Sequence, residues 1–175
     1  MYEKCSQALA SHAAAVFTTM TRKAPASVMV RPEVTGTSLL RFTLGERVDF
    51  RGEAEHGSKV KGFFICAFDA MDSAVLFARD VAVYLGLPAS TSKAETDNYV
   101  GEFLNVVIGL TCSAWSDHGL RVDFSPPERL QEHTIDSAPL PGHCFRVTIV
   151  SECGYTATLF LNFLPESSSL GRPPA

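Results

Sequence analysis

No run of the chain approaches the roughly 20 apolar residues that span a bilayer; the longest nearly uncharged stretches, Phe63 to Phe68 and Tyr155 to Leu164, fall well short. The amino terminus, with Glu3, Lys4 and His12, lacks the basic opening and continuous apolar core of an export signal, so a cytoplasmic protein away from the membrane is expected. The five cysteines (Cys5, Cys66, Cys112, Cys144 and Cys153) are odd in number and contain no Cys-x-x-Cys pair, which argues against a disulfide framework and against a zinc knuckle. Cys66 and Cys112, on apolar elements, are expected to be buried free thiols. The histidines, His12, His56, His118, His133 and His143, fall in five different settings without a His-x-x-x-His pair, and no metal site is expected. Gly57-Ser58-Lys59 lacks the upstream glycine and the Gly-Lys order of a phosphate loop and reads as a turn. Cys112, Asp117 and His118 have the residue types of a nucleophilic site, but nothing near them supplies an oxyanion hole. Cationic residues are sparse as well: 15 Lys and Arg against 19 Asp and Glu give a formal charge of -4. Scattered as they are, they make nucleic acid a poor partner and a protein a better one.

What the chain does have is apolar content, 46% over 175 residues, enough for one domain with a proper core. Tyr2 to Met20 has the alanine-rich, amphipathic pattern of a first helix, with Pro25 beyond its end. Val28-Met29-Val30 and Leu39 to Phe42 read as short extended segments. Arg47-Val48-Asp49-Phe50 alternates as a strand, His56 to Lys59 supplies a turn, and Val60 to Phe68 follows as a buried strand. Met71 to Leu87 is helical in period and is stopped by Gly86 and Pro88. After a Ser/Thr linker, Lys93 to Cys112 forms a third helix, Trp115 to Gly119 a turn, and Leu120 to Phe124 a strand ending at Pro126-Pro127. Arg129 to Gly142, with Pro139 and Pro141 and no period, reads as a surface loop, and Phe145 to Val150 and Tyr155 to Phe163 as a hairpin joined at Ser151 to Gly154. Residues 1–164 are expected to form the domain and 165–175, rich in Ser, Gly and Pro, a disordered tail. Arg121-Val122-Asp123-Phe124 repeats the letters of residues 47–50, which suits a fold of two similar halves in which Val60 to Phe68 matches Cys144 to Val150.

Chemistry concentrates on the third helix. At helical spacing Tyr99, Phe103, Val106, Val107 and Leu110 share an apolar side, while Asn98, Glu102, Asn105 and Gly109 follow one another along a separate stripe. Residues three apart on a helix have Cβ atoms roughly 5 to 6 Å apart, so Glu102 and Asn105 can reach one small target together. Asn105 stands within the apolar run 103–108 and needs hydrogen bonds, since an unpaired buried amide costs about 1 to 3 kcal/mol. One account is an Asn bonded to a neighbouring backbone group beside a solvated Glu; the other is a functional pair. Asn98 extends the stripe by one turn, and its plainer reading is a solvated residue near the helix start. Gly101 and Gly109 each cost about 1 kcal/mol relative to Ala in a helix, which implies close packing on the sheet or close approach of another backbone.

Gly-Glu-x-x-Asn-x-x-x-Gly, at residues 101–109, resembles the signature helix of the chemotaxis phosphatase family of CheC, CheX and FliY, most closely its single-motif CheX branch. The strand and helix before the motif and the proline-ended strand after it extend the resemblance over residues 46–164. Two departures stand out: the family usually carries Asp or Ser four residues before the Glu, where this chain has Asn98, and the distance from Asn105 to Pro126 or Pro127 is slightly short. The resemblance implies an α+β two-layer CheC-like fold, helices on a largely antiparallel sheet with pseudo-duplicated halves, and a homodimer. It implies a phosphatase acting on the phosphoaspartate of a CheY-like receiver, with Glu102 docking on the receiver's lysine, Asn105 orienting the attacking water, and Asn98, Gly101 and Gly109 at the contact. No cofactor is then expected on this chain, the Mg²⁺ belonging to the receiver. The rival is a binding module of the same fold without catalysis; a further rival is a structural subunit, in which Asn105 would be buried and hydrogen-bonded.

Overall fold

A computed structural model describes residues 1–33, 40–89, 92–130, 134–135 and 142–164. The elements run α1 (Tyr2–Thr21), β1 (Pro25–Glu33), β2 (Leu40–Arg41), β3 (Leu44–Ala54), β4 (Lys59–Phe68), α2 (Met71–Tyr84), α3 (Lys93–Ser116), β5 (Leu120–Phe124), β6 (Glu128–Leu130), β7 (Thr134–Ile135), β8 (His143–Ser151) and β9 (Thr156–Leu164). The main sheet is antiparallel in the order β1-β8-β9-β4-β3-β5, with β6 also paired to β3; β2 and β7 form a separate two-stranded ladder. Gly57 and Gly154 turn the β3–β4 and β8–β9 hairpins at φ of 78° and 85°, a region open to glycine.

The three helices pack on one another and over one face of the sheet. Period-two alternation decides which strand residues meet them: Leu44, Glu46, Val48 and Phe50 on β3 and Phe64, Cys66 and Phe68 on β4 are buried beneath the helices. Phe63, Ile65, Ala67 and Phe160 point to the opposite face and form a second apolar cluster with Phe42 and Cys144. There the Arg47 guanidinium lies 4.4 Å over the Phe63 ring and that of Arg146 5.2 Å over Phe160.

The halves are interleaved. The central pair β4–β9 joins first half to second, β3 and β8 flank it, and β5 and β1 close the two ends, so topology matches β4 with β9, β3 with β8 and β1 with β5. This corrects the pairing drawn from the repeated tetrapeptide: β3 and β5 are ladder neighbours, with Phe50 opposite Phe124 and Arg51 opposite Asp123, and Val60 to Phe68 matches β9 rather than Cys144 to Val150. The repeated letters lie on neighbouring antiparallel strands and do not mark equivalent positions of the two halves.

Three other expectations change. α3 runs a turn past Cys112, so Trp115 lies in the helix and is fully buried instead of forming a turn. Val28 to Val30 belongs to a nine-residue strand, β1, on the sheet edge. Arg129 to Gly142 is not wholly a loop: residues 128–130 pair with β3 and 134–135 with β2, because a short edge strand needs no hydrophobic period of its own. The expected tail, 165–175, lies outside the described residues.

Candidate functional site

α3 begins at a serine N-cap. Ser92 accepts a hydrogen bond from the Glu95 backbone N–H at 3.3 Å, and its hydroxyl donates to the Glu95 carboxylate. The Ser-x-x-Glu spelling was there in the sequence, inside what reads as a linker. From this start, Thr96, Asp97, Val100, Phe103, Leu104, Val107, Ile108, Thr111, Cys112 and Trp115 turn inward and are buried. Thr111 satisfies its hydroxyl by donating to the Val107 carbonyl at 2.7 Å. Burial pushes the Cys112 thiol up to about 12, so it has no nucleophilic character near neutrality.

The opposite face carries the stripe. Asn98, Glu102 and Gly109 are exposed and Asn105 is half-buried. Among the described residues, no side-chain hydrogen bond or ion pair engages Asn98, Glu102 or Asn105. Asn105 therefore lacks the bonded, buried setting that the structural-subunit reading requires. Val106 and Leu110, expected on the apolar side, are instead 38% and 46% exposed and flank Asn105 and Gly109. The helix thus presents two amides, a carboxylate and two aliphatic side chains on one convex surface, a shape suited to a protein partner and not to a small molecule.

The glycines add to this. A Cβ placed on Gly101 or Gly109 would come within 4 Å of no described atom beyond its chain neighbours and the local backbone of α3, although Gly101 itself is buried, so packing on the sheet does not explain either residue. Gly109→Ala is accordingly expected to raise stability by about 1 kcal/mol in urea titration, through helix propensity, and Gly101→Ala to act alike. If Gly109 serves the approach of another backbone, the same variant weakens the partner contact while stabilising the fold.

Other parts of the surface do not converge on this stripe. A cleft of about 1110 Å³ lies near the carboxyl end of α3, lined by Arg51, Lys59, Asp117, His118, Arg121 and Asp123 among others. Neither Glu102 nor Asn105 lines it. Among the described residues no group of three or more His, Cys, Asp or Glu side chains is placed to hold a metal ion, and no helix is long and apolar enough to cross a membrane.

Three helices on one face of an antiparallel sheet, with the strands of two halves interleaved, define a CheC-like α+β fold. The solved structures that share it include CheX of Vibrio vulnificus, 20% identical, with a TM-score of 0.68 over 91% of this chain and 99% of that one. CheX of Desulfovibrio desulfuricans is 18% identical, with a TM-score of 0.71 over 91% and 99%. A CheX of Borrelia burgdorferi, seen in complex with CheY, BeF3 and Mg²⁺, is 15% identical, with a TM-score of 0.69 over 91% and 97%. At these identities the likeness is one of fold. No protein-family model and no curated protein sequence matches the chain.

Proposed function

We propose that the chain is a phosphatase for the phosphoaspartate of a CheY-like receiver domain, with Glu102 and Asn105 as its working pair. The observation that carries the reading is that both side chains stand on the open face of α3 without a hydrogen-bond or ion-pair partner among the described residues, in a fold shared with CheX. A CheX of that fold forms a complex with CheY in Borrelia burgdorferi, which supports a receiver as the partner here.

The chemistry follows from the residue types. Acyl phosphate hydrolysis asks little covalent work of the protein; positioning a water in line and stabilising charge on the phosphoryl oxygens supply the rate. The Asn105 amide accepts from water through Oδ1 and donates to a phosphoryl oxygen through Nδ2, without bringing negative charge to an anion. Glu102, one turn earlier, would repel the phosphoryl group if it stood at the attack position. It is better placed to pair with a lysine on the receiver. Mg²⁺ belongs to the receiver in this scheme, and homodimerisation remains part of the proposal only through the family resemblance.

The test is release of inorganic phosphate from phosphorylated CheY-like receivers with substoichiometric chain. Glu102→Ala is expected to raise KM roughly tenfold or more and to lower the rate as well, as loss of an interfacial charge pair does. Tight binding of receivers with no added phosphate release would make the chain a binding module instead.

A further inference from the structure

Behind the exposed stripe, α3 is tied to the sheet by a charged contact that the proposed chemistry does not use. Asp97 is buried on the inner side of the helix, and its Oδ2 meets Nη1 of Arg129 at 2.6 Å. Arg129 sits on β6, whose register sets it opposite Glu46 on β3. Glu46 is itself only 6% exposed and shares the buried face of β3 with Leu44 and Val48. Cys66, its ladder partner on β4, is fully buried behind it.

One buried carboxylate, Asp97 on α3, thus pairs with the Arg129 guanidinium, and a second, Glu46, stands at the ladder position opposite Arg129. With both ionised, two buried carboxylates stand beside one guanidinium whose own side chain is 43% exposed, an arrangement that favours retention of a proton on a carboxylate. Burial first, and then the charge of Asp97, push Glu46 from the ordinary 4.5 up to about 7, with Arg129 opposing. The groups that bear on Glu46 are Asp97 on α3, Arg129 on β6 and Cys66 on β4; burial and the neighbouring Glu46 both push the Cys66 thiol up, so it stays neutral.

We infer that Glu46, Asp97 and Arg129 are positioning residues that fix the rotation of the first half of α3, and with it Glu102 and Asn105. Asp97 precedes Asn98 directly and lies five residues before Glu102, so a shift at the Arg129 contact is carried along a continuous helix to the stripe. When Glu46 ionises it competes with Asp97 for Arg129 and repels it, and the clasp loosens. The sign is fixed by proton uptake: the folded chain holds a proton on Glu46 that the unfolded chain releases. The stabilisation is therefore full below about 4.5 and is lost as pH rises through about 7.

The catalytic consequence rests on the phosphatase reading; the structural one does not, and the test separates them. Glutamate carboxyl carbons and the backbone amides of residues 97–105 are followed by NMR from pH 5 to pH 9 in the full chain. The expected result is a Glu46 midpoint near 7, shared by the amide shifts of residues 97–105 and absent from those amides in Glu46→Gln. Asp97→Asn, which frees Arg129 for Glu46, is expected to lower the Glu46 midpoint. In the second arm, the ratio of the Glu46→Gln rate to the wild-type rate of receiver dephosphorylation is expected to rise about tenfold between pH 6 and pH 8.5. A Glu46 midpoint near 4.5, or amides of residues 97–105 that do not follow it, overturns the inference even if both proteins are active. If the midpoints appear as expected and neither protein releases phosphate, the inference stands and the phosphatase reading fails.

Discussion

Asn105→Ala is expected to lower the rate of receiver dephosphorylation by roughly 10² to 10³-fold, the loss that follows removal of one preorganised hydrogen-bonding group. Receiver affinity and the urea midpoint should hardly move. The side chain is half-buried and bonds to no described residue, so its removal strands no donor or acceptor inside the fold. Single-turnover decay of receiver phosphate, read beside a binding titration, separates the terms: a fall in the maximal rate at constant Kd assigns the amide to the chemistry. A matching loss of stability would instead place Asn105 in the core, as its apolar neighbours imply at first sight.

Trp115→Ala is expected to cost about 3 to 5 kcal/mol, the usual range for emptying a large aromatic site. Trp115 is fully buried near the end of α3, with ring centroids 5.4 Å from Phe64, 5.5 Å from Phe163 and 5.7 Å from Phe50. Its Nε1 donates to the Cys5 carbonyl at 3.2 Å, which joins α3 to α1. A single domain is typically stable by about 5 to 15 kcal/mol, so this loss takes a large share of the total. Urea unfolding followed by circular dichroism checks it, because Trp115 is the sole tryptophan and its removal abolishes tryptophan emission. Trp115→Phe should retain much of the packing yet lose the bond that the indole N–H adds at the Cys5 carbonyl, and so fall between the two proteins.

α3 itself was legible in its spacing, and so was the stripe of Asn98, Glu102, Asn105 and Gly109, because a 3.6-residue period is local. Which aliphatic residues turn inward was less so. Thr96, Asp97 and Thr111 are buried while Val106 and Leu110 are exposed, and hydropathy alone ranks those the other way. The hairpins β3–β4 and β8–β9 could be read from their turns. The strand order could not, since β4 meets β9 across some 100 residues of chain and no local pattern encodes that pairing. The Glu46, Asp97 and Arg129 contact left no trace in the spacing either. It joins three separate elements, one of them a three-residue strand without a period, and only the register of β6 on β3 brings them together.

On the reading proposed above, the open face of α3 turns over receiver phosphate. The measurement that tests it most directly is the lifetime of phosphate on Mg²⁺-loaded, radiolabelled CheY-like receivers from the same organism, with wild-type chain or Asn105→Ala added in catalytic amount. The expected lifetime is shortened by wild type through many turnovers and left near its spontaneous value by Asn105→Ala. Unchanged lifetimes across the organism's receivers, in spite of measurable binding, would contradict it.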